Sequence, residues 1–399
     1  MKDIISIYKN KRSYFSKRTE KIFEIINENK LDEKKISKNN NTFSIAICIP
    51  VRNEYPDFFS TLKSIKKSVE LINNDMLIYV ICMINSSEDS SIDEIYNNKQ
   101  IILKIYEDKN NYPFNIIIIE NKFSKNDGVG LARKIAMDFA LEINCDILAC
   151  LDADTLVEKN YLTEIINFAK YVTQKNTPQF ALTNFSHQFA KNNEEQKAIN
   201  FYESYLHEHS LKLKECGTPF YHIALGPTII TTAKNYCVCG GMNEKLAGED
   251  FYFLQALIKN SIQSGLDFSN CALLLDTIVK PSSRISKRVL FGTGTKIESI
   301  VNGEKDACEK YTDECYIILK NIFLILDKSL KTKSPYDYFS QELYKQKNIY
   351  DFFVQDNFFD KWKKICNCFS NDFKKLKVAF HVYFDGLKII RLFHYIMKN

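Results

Sequence analysis

Two aspartates separated by one alanine, Asp152-Ala153-Asp154, follow directly on the apolar run Ile147–Leu151. In an extended segment, residues two apart project to the same side, so both carboxylates are expected to face one cleft. Paired hard-oxygen donors suit Mg²⁺ or Mn²⁺, which completes its shell with waters and the oxygens of a bound diphosphate. An ordinary acidic turn has the same spelling, so it is the position at the carboxyl end of a strand that favours a metal. A second group is Ile49-Pro50-Val51-Arg52-Asn53-Glu54. Pro50 is expected to stop the strand ladder there, leaving Asn53 and Glu54 to emerge where a ligand would sit. Capping of a helix that opens near Asp57 would call for similar residues.

A third group, Asp127-Gly128-Val129-Gly130-Leu131-Ala132-Arg133, is a glycine-containing turn entering a helix. Amides at a helix start, with Arg133 in the first turns, can hold phosphate oxygens. A GxG alone is also a common tight turn. The fourth runs from Gly240-Gly241-Met242-Asn243-Glu244 to Gly248-Glu249-Asp250 and into the apolar stretch Phe251–Ile258. The helix dipole favours an ionised carboxylate at that end, which suits Asp250 to accept a proton. Plain N-capping explains an aspartate there equally well.

These groups need elements to carry them. Phe43–Ile49, Met76–Ile84, Phe114–Ile119 and Asp146–Leu151 read as short buried strands. Between them, Phe58, Leu62, Ile65, Val69 and Ile72, and later Leu131, Ile135 and Phe139, recur at helical spacing. Strands alternating with helices predict an α/β fold with a mostly parallel sheet covered on both faces. Ligands then bind outside the carboxyl ends of the strands, where the four groups fall.

The flanks read differently. Residues 1–42 read as one or two short helices packed on the main domain, ending in the polar run Lys38–Thr42. A peripheral membrane contact is the alternative reading of this segment. Residues 43–300 form the α/β domain. Residues 301–399 read as helical and aromatic-rich, with Phe352, Phe353, Phe358, Phe359 and Trp362. The formal charge of +5 is too slight to announce a nucleic-acid partner. The 12 cysteines are scattered and follow no secretory signal, which predicts reduced thiols in a cytoplasmic protein. The pairs Cys237/Cys239 and Cys366/Cys368 fit zinc spacing poorly and read as small buried residues. Tyr316–Leu326 is interrupted by Lys320 and Asn321, short of the ~20 apolar residues that cross a membrane. His207 and His209 lie two apart in the predicted helix Glu194–Lys214 and cannot ligate jointly. His187 and His222 sit near strand ends and could touch the acceptor, with packing or surface roles the favoured reading of both.

Taken in order, IPVRNE, GVGLAR, LDADT and GGMNEKLAGED resemble the family-2 glycosyltransferases of the GT-A fold, over about two-thirds of the chain from Phe43 to Ile300. The resemblance implies that Pro50, Arg52 and Glu54 hold the base and ribose of a nucleotide-sugar donor. Asn85, within Ile84–Asp89, stands where a second base-contacting motif falls; the DDGS wording is missing, which leaves the base open. Arg133 would contact the donor, and Asp152 and Asp154 would carry Mn²⁺ or Mg²⁺ on its diphosphate. Asp250 matches the carboxylate that takes the acceptor proton, with Glu249 beside it. The stretch Ser282–Gly294 resembles a segment that closes over the diphosphate, and Arg284 and Arg288 would then neutralise leaving-group charge.

The activity so implied is a metal-assisted single displacement that inverts the anomeric centre. The donor would be a UDP- or GDP-sugar and the acceptor a carbohydrate, lipid-linked or other hydroxyl. The QxxRW motif of processive synthases is absent, which points to addition of single sugars. Acceptor recognition is expected from Phe180–Leu225 and the carboxyl-terminal helices. Phe251, Tyr252 and Trp362 could stack on a sugar, although core packing explains them as well. Three other functions fit parts of the pattern. A nucleotidyltransferase should carry a glycine-rich loop at the first strand, where Pro50–Glu54 has no glycine. A non-catalytic sugar-binding protein on the same fold should have lost its acidic sites. A peripheral membrane adaptor built on the helical ends should bind liposomes through residues 1–40.

Overall fold

In the computed structural model, residues 4–17, 23–26, 43–72, 76–285, 292–304, 310–370 and 372–398 are described. The strands are β1 (Phe23–Ile26), β2 (Ser44–Val51), β3 (Leu77–Ser87), β4 (Asn115–Phe123), β5 (Ile147–Cys150), β6 (Leu156–Val157), β7 (Phe180–Phe185), β8 (Ile229–Thr232) and β9 (Leu273–Lys280). They form one sheet in the order β1-β4-β3-β2-β5-β8-β7-β9-β6. The block β4-β3-β2-β5 is parallel, as the alternation predicts, while β8 joins β5 antiparallel. The fold is thus α/β, a mixed sheet flanked by helices, with a helical carboxyl-terminal extension.

Period-two alternation splits the side chains of β2 between two layers. Ile45, Ile47, Ile49 and Val51 join a core completed by α2 (Phe58–Val69), α3 (Ile92–Asp108) and α5 (Tyr161–Tyr171). The opposite face is covered by α4 (Val129–Glu142), which is buried from Gly130 to Leu141. Pro50 does not stop the ladder: β2 continues to Val51, with Pro50 in register with Met83. The Cys48 carbonyl accepts from the Leu151 amide on the β5 side, and Pro50 turns the same way, past the last β5 pairing at Cys48↔Cys150. Its missing N–H therefore costs no ladder bond.

The amino-terminal segment is only partly helical. After α1 (Ile4–Lys11) and a 3-10 turn at Tyr14–Lys17, residues Phe23–Ile26 pair as an antiparallel edge strand on β4. So short an apolar run satisfies either periodicity, and pairing with an open sheet edge decides it. Residues 4–17 belong to the same compact unit as the sheet. They complete the shell of Asp138, a fully buried carboxylate on α4. Its Oδ1 accepts from Tyr8 (2.9 Å) and Tyr236 (2.8 Å), and its Oδ2 from the Tyr14 amide (2.7 Å), with Lys134 Nζ 3.0 Å away. A buried charge is tolerated only when so fully bonded. Tyr8→Phe leaves Asp138 and Lys134 each one partner short, and is expected to cost about 1–3 kcal/mol of stability. Urea unfolding reads this directly; an unchanged midpoint would show that α1 does not anchor α4.

The chain divides into two compact units, and the division is not sequential. The first holds residues 1–200, 224–257 and 272–303; the second combines Phe201–Ile223 and Ile258–Cys271 with Glu304–Asn399. The simple boundary expected near residue 300 thus misses two internal stretches that join the carboxyl-terminal helices. In the second unit, α10 (Asp313–Ser329) buries Tyr316, Leu319, Phe323 and Leu326 at helical spacing. Trp362 is fully buried against Phe339, Phe358 and Phe380, a core residue rather than a sugar platform. Among the described residues no helix is long and apolar enough to cross a membrane. The eleven described cysteines are free thiols, nine of them buried.

Candidate active site

Four connections leave the carboxyl ends of the parallel strands. At the end of β2, Asn53 adopts a left-handed conformation (φ 54°), which asparagine tolerates better than most residues. Its amide donates to Asn98 Oδ1 (2.9 Å), and Asn98 Nδ2 donates to the Asn85 carbonyl (2.9 Å). Asn98, buried on α3, therefore ties the end of β2 to the end of β3. Sequence reasoning passed over it; the available signal was an amide beside the apolar stripe of Ile101 and Ile105. Arg52 donates to Ser87 Oγ (3.1 Å) and lies 3.4 Å from Glu94. Pro50, Arg52, Glu54 and Asn85 thus share the β2–β3 end, with Glu54 and Asn85 buried.

Asp152 and Asp154 do not alternate along a strand. β5 stops at Cys150, and the Thr155 amide donates to the Asp152 carbonyl (3.1 Å), closing a turn. Thr61 Oγ1 holds the Ala153 carbonyl (2.8 Å) and Gln188 Nε2 holds that of Asp154 (2.7 Å). Each carboxylate then meets its own arginine. Asp152 accepts from Arg133 Nη2, while Asp154 lies 2.9 Å from Arg284 Nη2. Arg284 also bonds Glu54 and reaches Asp57 (3.2 Å), so it joins the end of β2 to the aspartate turn. Asp57, at the N-cap position of α2, makes no capping bond. Arg288 lies outside the described residues.

Arg133 is the hub. Only 4% exposed, it donates from Nε to Glu249 Oε1 (3.0 Å) and from Nη2 to Asp152. Burial disfavours its charge, but Asp152 and Glu249 outweigh that and hold it protonated. The glycine turn before it is not an open anion cradle. A Cβ on Gly128 would lie 2.6 Å from the Leu246 Cα, and one on Gly130 would lie 2.5 Å from the Lys245 carbonyl. The two glycines admit the backbone of residues 243–246 and so seat the approach to α8 (Glu249–Gln263) against α4. Asn243 Nδ2 adds a bond to the Glu249 carbonyl (3.0 Å).

Glu249 is buried, while Asp250 beside it is half-buried and accepts from the Phe251 amide (2.7 Å). Burial, then the charge of Glu249, raise the Asp250 carboxyl to about 7; Arg133 and the amide act the other way and Asp152 adds to the rise. A carboxyl group poised near neutrality can accept a proton at physiological pH. Among the described residues, Glu54, Asp57, Asp152, Asp154, Glu249 and Asp250 gather around the guanidiniums of Arg133 and Arg284. Asp152 and Asp154, both partly open to solvent, offer hard oxygens of the kind that a divalent cation on a bound diphosphate would take, although no cluster of three such ligands occurs among the described residues. Of the histidines, His209 bonds Tyr316 (2.7 Å), and burial lowers both it and His222 to about 4.

Residues 46–226 match the family model described as Glycosyl transferase family 2, so this stretch of the chain is similar to a glycosyltransferase domain. Among solved structures, it is similar to residues 1–349 of S. aureus TarS in complex with UDP-GlcNAc: 14% identity, 77% of this chain and 78% of that one covered, TM-score 0.38. The same TarS fragment in complex with UDP gives 12% identity, coverage of 85% and 91%, and a TM-score of 0.39. No curated protein matches.

Proposed function

We propose that the protein transfers a sugar from a nucleoside-diphosphate sugar to an acceptor hydroxyl, in one displacement that inverts the anomeric centre. One observation carries the reading: a single buried guanidinium, Arg133, joins Asp152 of the aspartate turn to Glu249, the neighbour of Asp250. Groups on the leaving side and on the attacking side thereby share one centre. Asp250 takes the proton of the attacking hydroxyl. Arg133 and Arg284 offset negative charge on the departing diphosphate, and Arg52, Glu54 and Asn85 receive the nucleoside. Asp152 and Asp154 would hold Mg²⁺ or Mn²⁺, which when bound supplies Lewis-acid stabilisation of the diphosphate.

The test is a panel of UDP- and GDP-sugars, assayed with and without Mn²⁺ between about pH 5 and 9. A base must be unprotonated to act, so release of nucleoside diphosphate should rise with pH through about 7 and then level off. Failure to consume any nucleotide sugar, or a rate flat across that range, would count against the reading.

A further inference from the structure

Gly226 lies in a buried 3-10 turn, Gly226–Thr228, which packs on β5 just before β8 begins. A Cβ built on it falls 2.2 Å from Arg133 Nη2 and 2.7 Å from Arg133 Cζ. Carbon and nitrogen cannot approach so closely, so any other residue here must push the guanidinium away. The φ of Gly226 is not in the left-handed region, which leaves the space, not the backbone, as the reason for a glycine. The Arg133 side chain has little room to give. It is 4% exposed, held by Asp152 and Glu249, and its Nη1 is buried with no hydrogen-bond partner among the described residues.

We propose that Gly226 is a positioning residue: the space left by its missing side chain lets Arg133 bridge Asp152 and Glu249, and so fixes the aspartate turn relative to Asp250. The charges around Asp250 are Glu249 on its own helix, Arg133 on α4 and Asp152 on the turn after β5; Arg133 is the favourable one. Displacing it leaves two like charges in place, so proton acceptance by Asp250 moves to higher pH. The functional consequence rests on the glycosyl-transfer reading, whereas the geometric one does not.

The test is a double-mutant cycle on the full chain using Gly226→Ala and Arg133→Lys. Gly226→Ala should lower kcat at neutral pH by about tenfold or more, with a smaller change in KM, and move the acid limb of the pH profile upward. In the Arg133→Lys background, which lacks the guanidinium that the methyl would strike, Gly226→Ala should add less than about twofold. Additive losses, or a Gly226→Ala enzyme with an unmoved acid limb, would overturn the proposal. NMR titration of ¹³C-labelled aspartate, without substrate, reads the Asp250 carboxyl independently of turnover. If that titration moves in Gly226→Ala while transfer tolerates Asp250→Asn, the positioning role stands and the assignment of Asp250 as base falls.

Discussion

Replacing Asp250 with asparagine is expected to lower kcat by about 10²- to 10⁴-fold, the span usual for loss of a general base. Asparagine keeps the size of the side chain and an oxygen to accept the Phe251 amide, so the start of α8 should hold. Donor affinity should change by less than about twofold, because Asp250 is proposed to meet the acceptor rather than the diphosphate. The same change should not weaken the fold. In the native state burial and the charge of Glu249 raise the Asp250 carboxyl to about 7, well above the ordinary aspartate range, so its ionised form opposes folding as pH rises across that window. A neutral amide removes that cost, and Tm at pH 8 should be equal or higher. A lower Tm together with weakened donor binding would mean that Asp250 holds the loop in place and does no chemistry.

Loss of Asp152 is expected to remove the dependence of donor affinity on Mn²⁺. Asp152→Ala takes away one of the two aspartates proposed to hold the ion, and it also strips Arg133 of one of its two anionic partners. Removing one partner from a buried ion pair costs about 3–5 kcal/mol, so Asp152→Ala alone would confound folding with binding. Asp152→Asn separates them: its amide oxygen still accepts from Arg133 Nη2, while the charge that would hold a divalent ion is gone. Calorimetry with a donor nucleotide, with and without Mn²⁺, should show metal-strengthened binding in the native protein and none in Asp152→Asn. Equal strengthening in both would assign the ion elsewhere and leave Asp152 as the counter-charge of Arg133.

Local pattern made much of this legible. The apolar runs of β2 to β5 and the helical stripes of α2 and α4 follow from side-chain periods of two and of about 3.6 residues, which need no partner to be read. Because parallel strands place their connections at one end, the groups around Pro50, Asn85 and Asp152 could be assigned to one face from their order alone, whereas Asp250 follows antiparallel β8 and a further helix, and only the fold brings it to Arg133. The pattern misled where a partner decided the outcome. Phe23–Ile26 carries helical spacing, but an open edge of β4 takes it as a strand. Gly128 and Gly130 look like a phosphate cradle, yet their missing side chains make way for residues 243–246.

The amino-acid sequence by itself determined the alternating elements, the acidic groups near strand ends and the resemblance to family-2 glycosyltransferases. Tertiary structure alone decided which charge meets which: Arg133 with Asp152 and Glu249, Arg284 with Glu54 and Asp154, Asp138 with Tyr8 and Tyr236. The reason is physical. Periodicity is written in neighbours a few residues apart, whereas the partners of Arg133 lie 19 and 116 positions away and meet only once the sheet has fixed both chain ends.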